Sequence, residues 1–273
     1  MNESKEKYNT QKIGIPPEYK DYFSHFYYAE NNSSEIVTQT LLPSYQTILV
    51  FNFGEKAIIK LNNSAKISIE KFILLGPVKQ AFEYSLPIHS QVLVVNFRKD
   101  AFYRLFGKAY GIARLPRNSN DLMFKDCFEP LWKSLNQLNN INERSHCILE
   151  FCKPHLIDRN KVAEKLANLD EKENSIESLA NQLNQTKRNI QIHHKKLLGY
   201  TYKEFNRYQR FLKAIELIQN KIASTSQIDW FEILSECGYY DQSHFIRDFK
   251  HYLNISPSRY LKNGQNICVA KPD

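Results

Sequence analysis

The feature that most constrains this chain is a near-repeat close to its carboxyl end. The stretches "SIESLANQLNQTKRNIQIHHKKLLGYTYKEF" and "DWFEILSECGYYDQSHFIRDFKHYLNISPSRYL" share one plan. Each reads as a short helix, a tight turn, a capped second helix, a glycine or asparagine stop and a (T/S)-x-x-aromatic exit. In the first unit Leu179, Ala180 and Leu183 lie on the leading helix, Asn184 at the turn, Thr186 at the cap, and Ile190 and Leu197 on the second helix. In the second unit Phe231, Ile233 and Leu234 lead to Gly238, Asp241 is the cap, and Phe245 and Phe249 follow. Glycine takes a positive φ without steric cost and asparagine is the next residue able to, so both turns are predicted to be left-handed there. Between the units, "TYKEFNRYQRFLKAIELIQNKI" predicts one helix of roughly 18 residues, about 27 Å long at 1.5 Å per residue.

With Asp241 as N-cap, Phe245, Phe249, Tyr252 and Leu253 share an inward stripe, which leaves Gln242, Ser243, Ile246 and Arg247 outward together. Each unit is a helix-turn-helix, whose second helix can lie in a DNA major groove with its early residues on base edges. The connecting rod can hold two such helices about one DNA turn, roughly 34 Å, apart. Charge agrees with a polyanion partner: the chain carries net +8, and residues 186–262 alone hold thirteen Lys/Arg against seven Asp/Glu, whereas residues 161–185 hold three against five.

Residues 171–262 resemble the DNA-binding domain of the AraC/XylS family of transcription regulators, on "SIESLANQLNQTKRNI", the R-x-x-x-A-x-x-L of Arg210, Ala214 and Leu217, "ECGYYDQSHFIRDFK" and "ISPSRYLK". The sequence departs from the family pattern at Asn184, where glycine is usual, and at Leu234, where a small residue is usual. Carried over by motif position, the resemblance implies that Arg188, Gln191 and Ile192 of the first reading helix, and Gln242, Ser243, Ile246 and Arg247 of the second, face bases. The side-chain chemistry suits that task, since Arg pairs with guanine O6/N7, Gln with adenine N6/N7, and an aliphatic group contacts the thymine methyl. Lys187, Lys195, Lys196, Arg207, Lys250 and Arg259 are expected on phosphate, helped by helix-start N–H groups. The family pattern makes Arg210 a structural ion-pair partner. His193 and His194 diverge by about 100° on a helix, so they do not share a metal, and His194 takes a core-facing position.

The amino-terminal text is different. From Glu35 to Phe97, runs such as "QTILVFNFGE", "KFILLGP" and "SQVLVVNF" alternate with turn residues, an all-β signature that predicts a small barrel or sandwich. After Arg98 helical spacing takes over in "KDAFYRLFGKAYG", "DLMFKDCFEPLWKSLNQL", with Asp121 as N-cap, and "NERSHCILEFCKPHLI". The expected architecture is α+β with two domains: a β-rich, cupin-like sensor domain with packed helices at 1–157, a linker at 158–170, an all-α double helix-turn-helix domain at 171–262, and a loose tail at 263–273. The β-rich region is also similar, more weakly, to the sensor domains of the same family.

Metal-dependent cupins cluster H-x-H with a carboxylate, whereas His25 and His89 stand apart here, and no G-x-S-x-G, Walker loop or Cys/His pair marks an activated nucleophile. No catalytic residue, metal or cofactor is therefore expected, and the sensor half is read as a pocket lined by Phe51, Phe53, Phe82, Tyr84 and Phe97, with Arg98 as an anion anchor. A second reading makes it an oligomerisation surface built on Phe102, Tyr103, Leu105, Phe106, Leu131 and Trp132. The five scattered cysteines suggest reduced cytosolic thiols. The opening "MNESKEKYNTQKIG" has no apolar segment and no run approaches the roughly 20 residues a membrane span needs, so neither signal peptide nor membrane partner is expected.

The expectation is a cytoplasmic one-component transcription regulator that reads two adjacent major grooves of double-stranded DNA, is controlled by a small effector or by self-association as a homodimer, and works with RNA polymerase. Its rivals are a β-barrel enzyme with an accessory DNA-binding domain and a nonspecific architectural DNA-binding protein.

Overall fold

In a computed structural model the described residues are 8–61, 65–107, 117–118, 122–159, 161–167, 176–224, 228–263 and 267–268. The expected cap at Asp121 lies outside them, as do most of the linker's end and of the tail. Nine strands come first: β1 (Tyr8–Ile13), β2 (Phe23–Asn31), β3 (Val37–Leu41), β4 (Thr47–Gly54), β5 (Ala57–Lys60), β6 (Lys66–Ile69), β7 (Phe72–Leu75), β8 (Phe82–Leu86) and β9 (Ser90–Phe97). Then follow α1 (Ala101–Phe106), the short β10 (Arg117–Asn118), α2 (Leu122–Asn136) and α3 (Ile141–Cys152). The carboxyl half is helical: α4 (Lys161–Ala167), α5 (Ile176–Gln182), α6 (Lys187–Leu198), α7 (Tyr202–Ala223), α8 (Trp230–Glu236), α9 (Gln242–Leu253) and α10 (Pro257–Asn263). Instead of being loose throughout, the tail places β11 (Ile267–Cys268) parallel to β3.

The strands form two sheets, β1-β2-β9-β4-β7-β10 and β11-β3-β8-β5-β6, arranged as a cupin-like β-rich domain. β4 is buried on both faces, and its alternation assigns each residue to one of two cores. Ile48 and Val50 join Ile73, Leu75 and Val92 between the sheets. Leu49, Phe51 and Phe53 turn to the outer face, where α1, α2 and α3 cover them. Phe97, Phe102, Phe106 and Phe128 make a run of edge-to-face and tilted ring contacts in that outer layer, with centroids 4.8–6.1 Å apart in the pairs that link them.

Two arginines lock this layer. Arg104 donates to Asp21 O at 2.7 Å and to Ile157 O at 3.1 Å, and Arg144 lies 3.9 Å from the Phe53 ring centroid while donating to Leu135 O and Leu138 O. Asp100, fully buried, accepts from Arg159 at 2.7 Å and 2.9 Å. Ile157, at the end of the expected sensor domain, and Arg159, at the start of the expected linker, are thus tied to the β-rich half. Leu166 of α4 packs with Leu179, Ala180 and Ile190 of the first helix-turn-helix.

The two halves share a core. Leu42, Tyr45 and Ala81, from turns of the β-rich half, are buried in one cluster with Tyr200, Tyr208, Phe211, Phe249 and Tyr252 of the helical half. Tyr45 stacks on Tyr208 with centroids 4.3 Å apart and meets Tyr200 edge-on at 5.0 Å. Tyr208 donates to Pro43 O at 2.5 Å, and Ala81 N–H donates to Tyr252 O at 2.8 Å. Lys79 and Glu204 close the rim at 2.9 Å.

Candidate nucleic-acid interface

The two helix-turn-helix units repeat down to their hydrogen bonds. In the first turn Gln185 N–H reaches Ala180 O at 2.9 Å and Asn184 sits at φ 51°. In the second, Tyr239 N–H reaches Leu234 O at 2.9 Å and Gly238 sits at φ 69°. Both bonds close a six-residue loop around a left-handed residue, which stops one helix and aims the next. Asn184 therefore fills the glycine position, and Leu234, the other departure, is simply buried in the core.

Each reading helix is capped in the same way. Thr186 accepts from Asn189 N–H at 3.2 Å to start α6, and Asp241 accepts from His244 N–H at 2.7 Å to start α9. Gly199 at φ 80° and Asn254 at φ 58° end them. Between the units α7 runs for 22 residues from a capping box of Thr201 and Glu204, so it is somewhat longer than the sequence predicts, about 33 Å at 1.5 Å per residue. Burial alone would raise the Glu204 carboxyl, but bonds from Thr201 and Lys79 hold it below the usual carboxylate range.

The faces divide as the stripe analysis predicts. Ile190 and Leu198 of α6, and Phe245, Phe249, Tyr252 and Leu253 of α9, are buried. Arg188, Gln191, Gln242, Ser243 and Arg247 are exposed, Ile192 is 54% exposed, and Ile246 is half-buried. His194 is buried, with Nδ1 2.8 Å from Tyr200 O, and burial pushes its pKa down.

The expected phosphate contacts split into two kinds. Lys195, Lys196, Lys250 and Arg259 are exposed. Lys187 is exposed but pairs with Glu177 at 2.7 Å. Arg207 differs in kind: its Nε donates to the fully buried Asp248 at 2.7 Å, and Tyr239 donates to the other oxygen at 3.1 Å. Arg207 thereby fastens α7 to α9, the part expected of Arg210, whose guanidinium instead lies over the Tyr239 ring at 4.9 Å. Tyr240, 94% exposed just before the α9 cap, escaped the sequence reading, and Phe231, which that reading placed with Ile233 and Leu234 on the leading helix, is 83% exposed on α8.

In the β-rich half, a cavity of about 510 Å³ opens between the two sheets. Phe82 and Tyr84 line it as expected; Phe51, Phe53 and Phe97 do not, because the strand alternation turns them to the helix-covered face, and Arg98 Nη1 instead donates to Lys20 O. Lys12, His25, Gln46 and Asn96 line it unforeseen. Thr10 with Lys12 on β1, and His25 with Tyr27 on β2, are same-face pairs two residues apart on neighbouring strands, which brings Lys12 and His25 to one wall. Of the alternative contact surface, Phe102, Leu105 and Leu131 are buried, Phe106 packs against the same core, and Trp132 donates to Asn52 O at 2.9 Å, so only part of that set is free to meet a partner. Among the described residues no group of three or more His, Cys, Asp or Glu is placed to hold a metal ion, and no helix is long and apolar enough to cross a membrane.

The comparisons with known proteins fall on these same regions. A helix-turn-helix domain model matches residues 179–263, and a domain of unknown function, DUF6597, matches residues 16–111. A probable transcription factor, PqrA of Proteus vulgaris, is 30% identical over 89 residues, which are 33% of this chain and 69% of that protein. The chain belongs to the AraC/XylS family of transcription regulators. Among solved structures, ToxT from Vibrio cholerae is 16% identical over 84% of this chain and 98% of that one, with a TM-score of 0.40. A cupin protein from Desulfovibrio desulfuricans is 10% identical over 33% of this chain and 82% of its own, with a TM-score of 0.26. As an AraC/XylS-type protein, the chain is a DNA-binding transcription regulator, and its duplicated helix-turn-helix is the DNA-binding element.

Proposed function

We propose that α6 and α9 enter successive major grooves of one duplex and that the regulator acts in the cytoplasm on specific operator sequences. Arg188, Gln191 and Ile192 read bases from the first groove; Gln242, Ser243, Ile246 and Arg247 read them from the second. Lys195, Lys196, Lys250 and Arg259 hold phosphate, Lys187 joining them by exchanging Glu177 for DNA, since an exposed ion pair contributes only about 0–1 kcal/mol. Arg207 supports the reading helix from behind. One observation carries this reading: two helices with matching caps and turns, on a rod of 22 residues, each exposing its polar stripe. The β-rich half has a regulatory role rather than a catalytic one, through a small molecule in the cavity or through self-association, and transcription output passes to RNA polymerase.

The test is equilibrium binding of the full-length protein to a selected duplex and to a scrambled one across salt concentrations. A sequence-specific regulator binds the selected duplex at least about 10³-fold more tightly at physiological salt. Equal affinity for both, with a salt slope accounting for all the binding, would instead identify a nonspecific polyanion binder.

A further inference from the structure

The two helix-turn-helix units match bond for bond through their turns and then part at a single position. In the first, Leu183, Asn184 and Gln185 donate to Leu179 O, Asn181 O and Ala180 O. In the second, Cys237, Gly238 and Tyr239 donate to Ile233 O, Ser235 O and Leu234 O, so each donor and each acceptor maps one for one onto the other unit. The caps do not. Thr186 follows Gln185 directly, whereas Tyr240 stands between Tyr239 and the cap Asp241. The second turn is therefore longer by one residue, and the added residue is Tyr240.

That residue is almost wholly in solvent, and its hydroxyl has no partner among the described residues. Its neighbour faces the other way. Tyr239 is buried, donates to Asp248 at 3.1 Å, carries the Arg210 guanidinium 4.9 Å above its ring and meets Phe245 edge-on at 5.1 Å. The turn is thus pinned from inside, and Tyr240 is held outward by backbone that cannot easily move. An outward tyrosine offers an apolar ring with a polar tip, and few torsions are lost when it is fixed.

Its place gives that tip an object. Gln242, Ser243 and Arg247 of α9 are exposed. Where the early residues of such a helix meet base edges, the residue just before its cap lies at the rim of the groove, along which the sugar–phosphate backbone runs. The carboxylates of α9 and its cap are both engaged: Asp241 accepts from His244 N–H, and Asp248 is buried against Arg207 and Tyr239. A cationic side chain at position 240 would be drawn back onto Asp241, whereas a neutral phenol is free to donate outward.

We propose that Tyr240 is a DNA contact of the second unit without a counterpart in the first: its hydroxyl donates to a backbone phosphate at the rim of the groove that α9 enters, and its ring lies along the adjoining sugar. The proposal deepens the reading of α9 as a groove-entering helix and rests on it. It makes the two units unequal, the second holding the backbone with one uncharged donor more than the first.

The test uses the full-length protein with Tyr240→Phe, which removes the hydroxyl alone, and Tyr240→Ala, which removes the ring as well. Exposure at position 240 means that both should keep the Tm of the parent. Tyr240→Phe should bind about tenfold more weakly, the lower end of the range for a bond to a charged group, because water re-solvates the phosphate. The loss should be equal on the selected and the scrambled duplex, since a phosphate carries no sequence information. The salt slope should not change, because a neutral hydroxyl releases no counterion, which distinguishes Tyr240 from a lysine on phosphate. Tyr240→Ala should be weaker still. Replacing single operator phosphates by uncharged methylphosphonates should find one position beside the α9 groove that weakens the parent more than it weakens Tyr240→Phe. Parent-like binding by both variants overturns the contact, and parent-like binding by Tyr240→Phe alone overturns the hydroxyl–phosphate bond. A loss confined to the selected duplex also overturns it, by making Tyr240 a base reader. If the parent itself fails to prefer the selected duplex, the regulator reading falls; if that preference stands while both variants bind as the parent does, only the present proposal falls.

Discussion

Single side chains divide the labour of the DNA-binding half, and they do so by burial. Arg247 is exposed on α9, one residue before the fully buried Asp248, so adjacent positions serve opposite sides of the same helix. Arg247→Ala should relax base preference at one operator position by about 1–3 kcal/mol, whereas Lys250→Ala should weaken all sequences alike and reduce the salt slope by about 1. Competition with single-base operator variants measures the first effect and salt titration the second. Asp248→Ala strands the Arg207 guanidinium and the Tyr239 hydroxyl, and the loss of a charge-assisted bond predicts a destabilisation of about 1.5–3 kcal/mol, measurable by urea unfolding. A uniform loss of affinity in Arg207→Ala at unchanged stability would return Arg207 to the phosphate group. The outward polar stripe was legible because Phe245, Phe249 and Tyr252 fix the phase of α9 and leave one face over. Arg207 was not: an isolated arginine on a predicted helix shows nothing of a carboxylate 41 residues away.

At the scale of elements the two turns give the sharpest expectations. Gly238 has open space where a Cβ would go, so Gly238→Ala meets no neighbour and its cost is the left-handed backbone itself, about 1–2 kcal/mol. Asn184→Gly, at the matching turn, should be close to neutral or slightly stabilising, and chemical denaturation of the two variants compares them directly. Titration provides a second expectation. Burial holds His194 below its ordinary pKa, and burial likewise lowers His251. The unfolded chain therefore binds protons more readily than the folded one, so the stability these groups contribute is complete above about pH 6.5 and is lost as pH falls. The urea midpoint of the helical signal should drop between pH 7.5 and 5.5, and His194→Gln should flatten that drop. The paired turns, caps and connecting helix could be read from sequence because their determinants are local. The cavity wall could not: β4 is apolar on both faces, so no alternation of polarity distinguishes Val50, which lines the cavity, from Phe51, which faces the helices.

For the molecule as a whole, the decisive contact is the aromatic seam between the halves. Pro43–Gln46 and Ala81 lie in connections between strands, where the sequence reading marked only Pro43 as a break, and turn chemistry carries no mark of the surface a turn will meet. Tyr45, in a left-handed conformation at φ 56°, stacks there on Tyr208 and meets Tyr200, and desolvation raises the pKa of its hydroxyl. Tyr45→Ala should remove about 3–5 kcal/mol of large-aromatic packing, by analogy with Phe→Ala in cores. Calorimetry is expected to show one merged unfolding transition in the parent protein and two resolved transitions in this variant; a single transition merely shifted would mean that the halves are coupled elsewhere. Above all, the account depends on two probes held a fixed distance apart. The measurement that reaches this most directly is selection of bound duplexes from a random pool by the full-length protein: two short motifs centred about one helical turn apart are predicted, both lost when five base pairs are inserted between them, and recovery of one motif, or of two whose spacing varies freely, would contradict it.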